Sequence, residues 1–242
     1  MKTALVTGAA RGIGLATTKL FLAEGWQVAM VDRDGDELTL ASEGLSNVKP
    51  ICRDVSVGQD VGAIIAEVEA WAGQLDALVN NAGIVDAKER VEDFSAARLQ
   101  TMFAVNVVGA ILVARNAVRR MSTYLGGNGG TIVNISSAAA RLASANQYVD
   151  YAASKAAIDT FTKGLAEEVA TCGIRVNAVR PGVIETDIHA KGGEPNRVAR
   201  IAPLVPMQRA GTADEIAQSV LWLLSDAASY VTGAHLDVSG GR

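Results

Sequence analysis

Residues 147–155 read QYVDYAASK and place two phenols upstream of one ammonium. Tyr151 precedes Lys155 by four residues, so on a helix both side chains project from one face as neighbours. Tyr148 is seven residues from the lysine, about 10 Å along a helix axis and too far for direct influence. The pair that could do chemistry is therefore Tyr151 and Lys155. A phenol titrates near about 10 and exchanges protons poorly at neutral pH unless a positive charge stabilises its phenolate. Tuned in that way, a tyrosine can give a proton to a carbonyl oxygen or take one from an alcohol. Just upstream, IVNISS at 132–137 reads as a strand with Ser136 and Ser137 at its C-terminal end. A hydroxyl there can hold a substrate oxygen against the phenol.

A second constellation lies at the N-terminus. TGAARGIG at 7–14 follows the first strand-like run and opens a helix-like one, the context a phosphate-binding turn requires. Gly8 permits the tight turn, Gly12 lets backbone approach a pyrophosphate, and Gly14 lets the helix pack near the sheet. The free N–H groups of the helix start then face the phosphates. The next strand-like run ends in Asp32, 24 positions beyond Gly8. A carboxylate at such a strand end accepts hydrogen bonds from an adenosine ribose diol and repels a 2′-phosphate. Arg11 and Arg33 stand in the same region, either to embrace a 2′-phosphate or as surface charge. The fixed carboxylate favours NAD over NADP.

Elements must bring these two ends together. TALVTG, WQVAMVD, VKPICRDV, DALVNNAG, GTIVNISS, GIRVNAVRPG and AHLDVSGG are short, continuous apolar runs separated by helix-length spacers. Strands covered on both faces read this way, and the spacers suit right-handed crossovers. The expectation is an α/β, Rossmann-type, doubly wound parallel sheet with helices on both faces, 1–242 forming one domain. Helices are expected over 12–24, about 59–72, 95–121, 151–171 and 213–225. The 126–130 run GGNGG reads as a turn into a strand. The 187–206 stretch holds paired glycines and three of the five prolines, and reads as a lid over a site. Its Arg197 and Arg200 either meet an anionic carrier or are plain surface.

Composition narrows the function. Of 242 residues 49% are apolar and 20% charged, which permits a large buried core. A net charge of −4 and the lack of any basic block argue against nucleic acid or a polybasic membrane patch. No apolar run reads as a spanning helix, and the apolar opening is too short for a secretory signal, so a cytoplasmic protein acting on small molecules is expected. Cys52, Cys172, His189 and His235 lack metal-ligand spacing, and the cysteines read as packing residues in apolar segments.

Together, TGAARGIG, RDV at 53–55, NNAG at 80–83, Asn106 in FAVNVVGA, ISS at 135–137, YAASK at 151–155, RPGVIETDI at 180–188 and YVTGAHLDVSGG resemble the classical short-chain dehydrogenase/reductase family. The resemblance covers nearly the whole chain. It implies Tyr151 as general acid/base, with Lys155 lowering its pKa and holding the nicotinamide ribose. It further implies that Ser137 orients the substrate oxygen and Asn106 positions a water linking Lys155 to solvent. Gly8, Arg11, Gly12, Ile13, Gly14, Asp32 and Arg33 would bind the cofactor, Asp54 and Val55 its adenine. Asn81, Ala82 and Gly83 would line the cleft, with Pro181, Gly182, Ile184 and Thr186 at the nicotinamide end. The 14-residue step from Ser137 to Tyr151 is one longer than is common in the family, so the loop between them, with Arg141, Gln147 and Tyr148, carries an insertion. These three residues shape the substrate pocket or simply cover surface.

The implied activity is NAD(P)-dependent interconversion of a secondary alcohol and a ketone, with sugars or polyols and 3-oxoacyl thioesters both open. A catalytically silent dinucleotide sensor is the alternative. The resemblance also implies a homotetramer, for which Trp222 and Leu223 are candidate contacts or core residues.

Overall fold

A computed structural model describes residues 1–186, 193–194 and 196–242. Its centre is a seven-stranded sheet made of β1 (Thr3–Thr7), β2 (Gln27–Asp32), β3 (Val48–Cys52), β4 (Ala77–Asn80), β5 (Gly130–Ile135), β6 (Ile174–Pro181) and β7 (His235–Val238). The spatial order is β3-β2-β1-β4-β5-β6-β7, and every pairing is parallel. The chain winds outward from β1 in one direction and from β4 in the other. Between them lies the switch point at which open α/β sheets place ligands.

Alternation along the strands feeds two cores. Leu5, Leu78, Ile132 and Val176 face α3 (Gly58–Ala72), α5 (Ala110–Met121) and α7 (Val149–Val169). Val6, Val79, Val133 and Val179 face the other side, with Phe21 of α1 (Gly12–Ala23) and Ile216, Val220 and Leu223 of α9 (Ala213–Leu224). Both faces are therefore covered, which is why these runs are continuously apolar. The α9 start is fixed by Thr212 and Glu215 in a reciprocal capping box.

Several local expectations change. The 95–121 helix is α4 (Ala96–Phe103), a π-helical turn (Ala104–Gly109) and α5, so its register slips once at Asn106. Ala96–Met121 as a whole is long and apolar enough to cross a membrane by length and composition, against the sequence reading, but its Val105, Val113, Ala114, Ala117 and Met121 are core residues. Helices α2 (Gly35–Ser42), α6 (Ala139–Leu142) and α8 (Arg197–Ile201) had no clear periodic signal. The longer step between Ser137 and Tyr151 is taken up by α6 and by Ala143, Ser144 and Asn146, all left-handed at φ 59°, 50° and 59°.

Cys52 is exposed at the end of the edge strand β3, whereas Cys172 packs partly buried against the core. Leu223 is core and Trp222 is 43% exposed. Of the 187–206 stretch, 187–192 and 195, with His189, fall outside the described residues.

Candidate active site

A cleft of about 520 Å³ crosses the C-terminal ends of the central strands. Gly8, Arg11, Gly12, Ile13, Asp32, Arg33, Asp54, Val55, Asn81, Ala82 and Gly83 line it, and so do Ser137, Tyr151, Lys155, Pro181, Gly182, Ile184 and Thr186. Gly14 and Asn106 stand behind the wall rather than in it.

The nucleotide end is built on the β1 turn. Gly8 has φ +65°, a conformation glycine adopts without penalty. Asn81 Nδ2 donates to the Thr7 and Gly8 carbonyls at 2.9 and 3.1 Å, tying the turn to the end of β4. At Gly14 an added methyl would lie 2.2 Å from Gly8 O and 2.7 Å from Asn81 Nδ2, so Gly14 supports the turn from behind. A methyl on Gly12 would lie 3.3 Å from Thr186 Cγ2, which places Thr186 over the turn. Asp32 accepts from Ala10 N at 3.2 Å and Asp34 N at 3.1 Å, and its carboxylate is thereby fixed at the edge of the cleft. Arg11 is engaged by Asp34, which also caps α2 through Glu37 N. The Arg11 hydrogen bond, chiefly, holds the Asp34 carboxyl below its usual range.

The chemical end is built on α7 packed against β5. Tyr151 sits in the first turn of α7 and Lys155 one turn on, its Nζ 5.7 Å from the Tyr151 ring centre. Lys155 is buried and donates to Ile135 O at 2.8 Å, while Ser136 Oγ donates to Lys155 O at 3.2 Å. Ser136 thus ties strand to helix, and Ser137, next along, opens into the cleft. Asn106 is buried in the π turn: Nδ2 donates to Ile84 O at 2.9 Å and Ser154 Oγ at 3.0 Å, and Oδ1 accepts from Ile84 N at 2.8 Å. Ser154 Oγ in turn donates to Tyr151 O at 2.7 Å. A methyl on Gly83 would touch Lys155 Nζ at 3.3 Å and Asn106 Oδ1 at 3.4 Å, so these three groups share one corner.

The electrostatics separate the two tyrosines. Burial, then the hydrogen bond to Glu194, push Tyr148 up to about 12, so it remains a neutral donor. Burial also raises Tyr151, but the Ser137 hydroxyl and the Arg197 charge act to lower it. Burial pushes Lys155 down to about 8, opposed by the Asp159 carboxylate. Burial thus dominates both groups, opposed at the phenol by Ser137 and Arg197 and at the lysine by Asp159.

Sequence reasoning missed one contributing pair and left one residue open. Arg98 of α4 donates from Nε to Asp150 Oδ2 at 2.7 Å, and Asp150 Oδ1 accepts from Tyr151 N at 2.9 Å. The two side chains are 7% and 0% exposed. They stand 52 residues apart, so no local pattern joins them. Arg98→Met leaves a buried carboxylate unpaired and will cost about 3–5 kcal/mol of unfolding free energy, read by urea titration. Arg197, one of two lid arginines expected as carrier contact or surface, lines the cleft with a side chain only 15% exposed. Only the fold around residues 196–206 reveals that placement.

A family model described as enoyl-(acyl carrier protein) reductase matches residues 8–242. The chain is 48% identical to the uncharacterized oxidoreductase YgfF of Escherichia coli over 247 aligned residues, covering 100% of both. It is 38% identical to glucose 1-dehydrogenase of Gluconobacter oxydans, over 99% of this chain and 91% of that one. A crystal structure of 3-ketoacyl-(acyl-carrier-protein) reductase from Brucella melitensis complexed with NADH superposes with a TM-score of 0.93 at 32% identity, covering 100% of this chain and 98% of that one. With its parallel sheet, glycine turn and Ser137, Tyr151 and Lys155 on one cleft, the chain belongs to the short-chain dehydrogenase/reductase family of NAD(P)-binding oxidoreductases acting on CH–OH groups.

Proposed function

We propose an NAD-preferring dehydrogenase/reductase that interconverts a secondary alcohol and a ketone with Tyr151 as general acid/base. The observation that carries this reading is the convergence of Ser137, Tyr151 and buried Lys155 at one end of a cleft whose other end holds Asp32. The residues fit a dinucleotide: the Gly8 turn leaves the start of α1 open to a pyrophosphate, and Asp32 is fixed to receive a ribose diol. A bound nicotinamide supplies the hydride chemistry. The protein's part is orientation and proton transfer. Ser137 holds the reacting oxygen, Tyr151 gives or takes its proton, and Lys155, braced on Ile135 O, contacts the cofactor ribose and contributes charge beside the phenol. Asn106, through Ser154, keeps the first turn of α7 and the loop at Ile84 in register. Removing either the phenol hydroxyl or the cofactor pocket will separate this enzyme from a silent sensor, which binds dinucleotide yet gives no absorbance change at 340 nm with any alcohol or ketone.

Preference for NAD rests on two carboxylates. Asp32 is held by two backbone N–H groups, and Asp34 engages Arg11, the cation that would otherwise reach a 2′-phosphate. Fluorescence titration will show tighter binding of NADH than NADPH. Asp32→Ser combined with Asp34→Ser frees Arg11 and removes two like charges, and will move the ratio toward NADPH by about 100-fold.

One compact domain with a substrate lid at 187–206 suits this reading, as does a reducing, cytoplasmic setting in which Cys52 and Cys172 stay free. The exposed Leu204, Met207, Trp222 and Tyr230 near the C-terminus support assembly as a homotetramer, which sizing in solution tests.

A further inference from the structure

The substrate end of the cleft has a charge asymmetry that a polyol site does not need. Arg197 Nη1 donates to Gln147 Oε1 at 3.0 Å and Glu194 Oε2 at 3.1 Å, and the guanidinium lies 4.8 Å from the Tyr148 ring centre. Its Nε and Nη2 donate to no described residue at hydrogen-bonding geometry, although the side chain is only 15% exposed. Glu194 does not neutralise it. That single carboxylate is shared by Lys88, Arg197 and Arg200 and also accepts from the Tyr148 hydroxyl at 2.7 Å. Among the described residues of this cluster three cations face one anion, a local surplus of positive charge. These contacts outweigh burial and hold Glu194 down at about 2, so the cluster keeps its form across the working pH range.

The lining Asp residues, Asp32, Asp34 and Asp54, all belong to the nucleotide end, and among the described residues no Asp or Glu lines the end near Tyr151. The wall there carries the apolar Ala138, Ala139, Leu142 and Val183 beside Ser144, Gln147 and Tyr148. Arg197 and Tyr151 also share one field, since the arginine's charge acts to lower the phenol's pKa. A guanidinium fork whose Nε and Nη2 meet no described partner at hydrogen-bonding geometry, set beside apolar wall residues, matches a carboxylate in charge and in planar geometry. Sugars and polyols offer neither a charge nor an apolar body.

We propose that the substrates are hydroxy and oxo acids with a hydrocarbon body, their carboxylate held by Arg197 while the reacting oxygen sits between Ser137 and Tyr151. In the oxidative direction the C–H electron pair leaves with its hydrogen to an oxidised nicotinamide dinucleotide, the O–H proton passes to Tyr151, and a C=O bond forms. Reduction runs the same exchange backwards. The proposal rests on the oxidoreductase reading for its reacting centre, but its anion subsite can be tested without turnover.

Calorimetric titration of the NADH-saturated protein with butyrate, and separately with butyramide, isolates the carboxylate. The expected result is that butyrate binds about tenfold or more tightly than butyramide. Arg197→Gln will erase that advantage and Arg197→Lys, a point charge without the fork, will restore part of it. Turnover should follow, with kcat/KM for 3-hydroxybutyrate exceeding that for its methyl ester, a ratio that collapses in Arg197→Gln through KM. Equal binding of acid and amide, binding of neither, or a butyrate advantage that survives Arg197→Gln overturns the proposal. If Arg197→Gln does not fold by circular dichroism, Arg197→Lys decides alone. Butyrate held through Arg197 with no alcohol or ketone turned over would instead strike the oxidoreductase reading and leave the anion subsite standing.

Discussion

Tyr151→Phe will lower kcat for both alcohol oxidation and ketone reduction by about 10²- to 10⁴-fold, the usual contribution of a positioned proton-transfer group. The ring that packs at the start of α7 is kept, so NADH affinity will stay within about threefold and the loss will fall on kcat rather than on cofactor binding. Stopped-flow absorbance at 340 nm with matched fluorescence titrations measures both. The pH profile of the unmodified protein gives a second check. Oxidation needs the ionised phenol, so its rate rises with pH; reduction needs the neutral phenol, so its rate falls. Burial raises Tyr151 and draws Lys155 down to about 8, so the profile reports groups taken out of water rather than a free phenol. Retention of more than a tenth of the turnover in Tyr151→Phe would remove this tyrosine from the mechanism.

Gly14→Ala will damage the opposite end of the cleft. The added methyl meets Gly8 O at 2.2 Å and Asn81 Nδ2 at 2.7 Å, and the first contact is with backbone, which no rotamer change relieves. Helix α1 must tilt away or the turn must open. Either response costs about 3 kcal/mol of stability by overpacking, and it displaces the N–H groups that would face a pyrophosphate. Thermal unfolding and NADH titration will both register the change, with affinity lost by about 100-fold or more. Because Gly14 does not line the cleft, a loss of binding here reports the support of the turn rather than a missing ligand contact. An alanine variant with unchanged melting and unchanged NADH affinity would show that the turn does not depend on this close approach.

Some of this architecture is local and therefore legible. The turn needs glycine at 8, 12 and 14 within seven positions, Tyr151 and Lys155 are neighbours on one helix, and a strand covered on both faces is apolar throughout. The doubly wound parallel sheet was legible from the helix-length spacers between apolar runs. Helices α2, α6 and α8 were less legible because they are short and only weakly amphipathic, leaving little period to read.

What the tertiary structure alone decided are meetings of side chains far apart in the chain. Arg98 reaches Asp150 across 52 residues, and Arg197 reaches Gln147 across 50. Arg11, open in the sequence to a 2′-phosphate, is committed to Asp34 across 23. Cys52, in a segment read as packing, is exposed at the end of the edge strand β3. Even the balance at Tyr151 is tertiary, since its burial and the charge of Arg197 come from parts of the chain far apart in sequence. Spacing along the chain encodes contacts within a turn or a helix; a distant pair depends on how loops close and which faces the sheet buries, and only the folded chain specifies that.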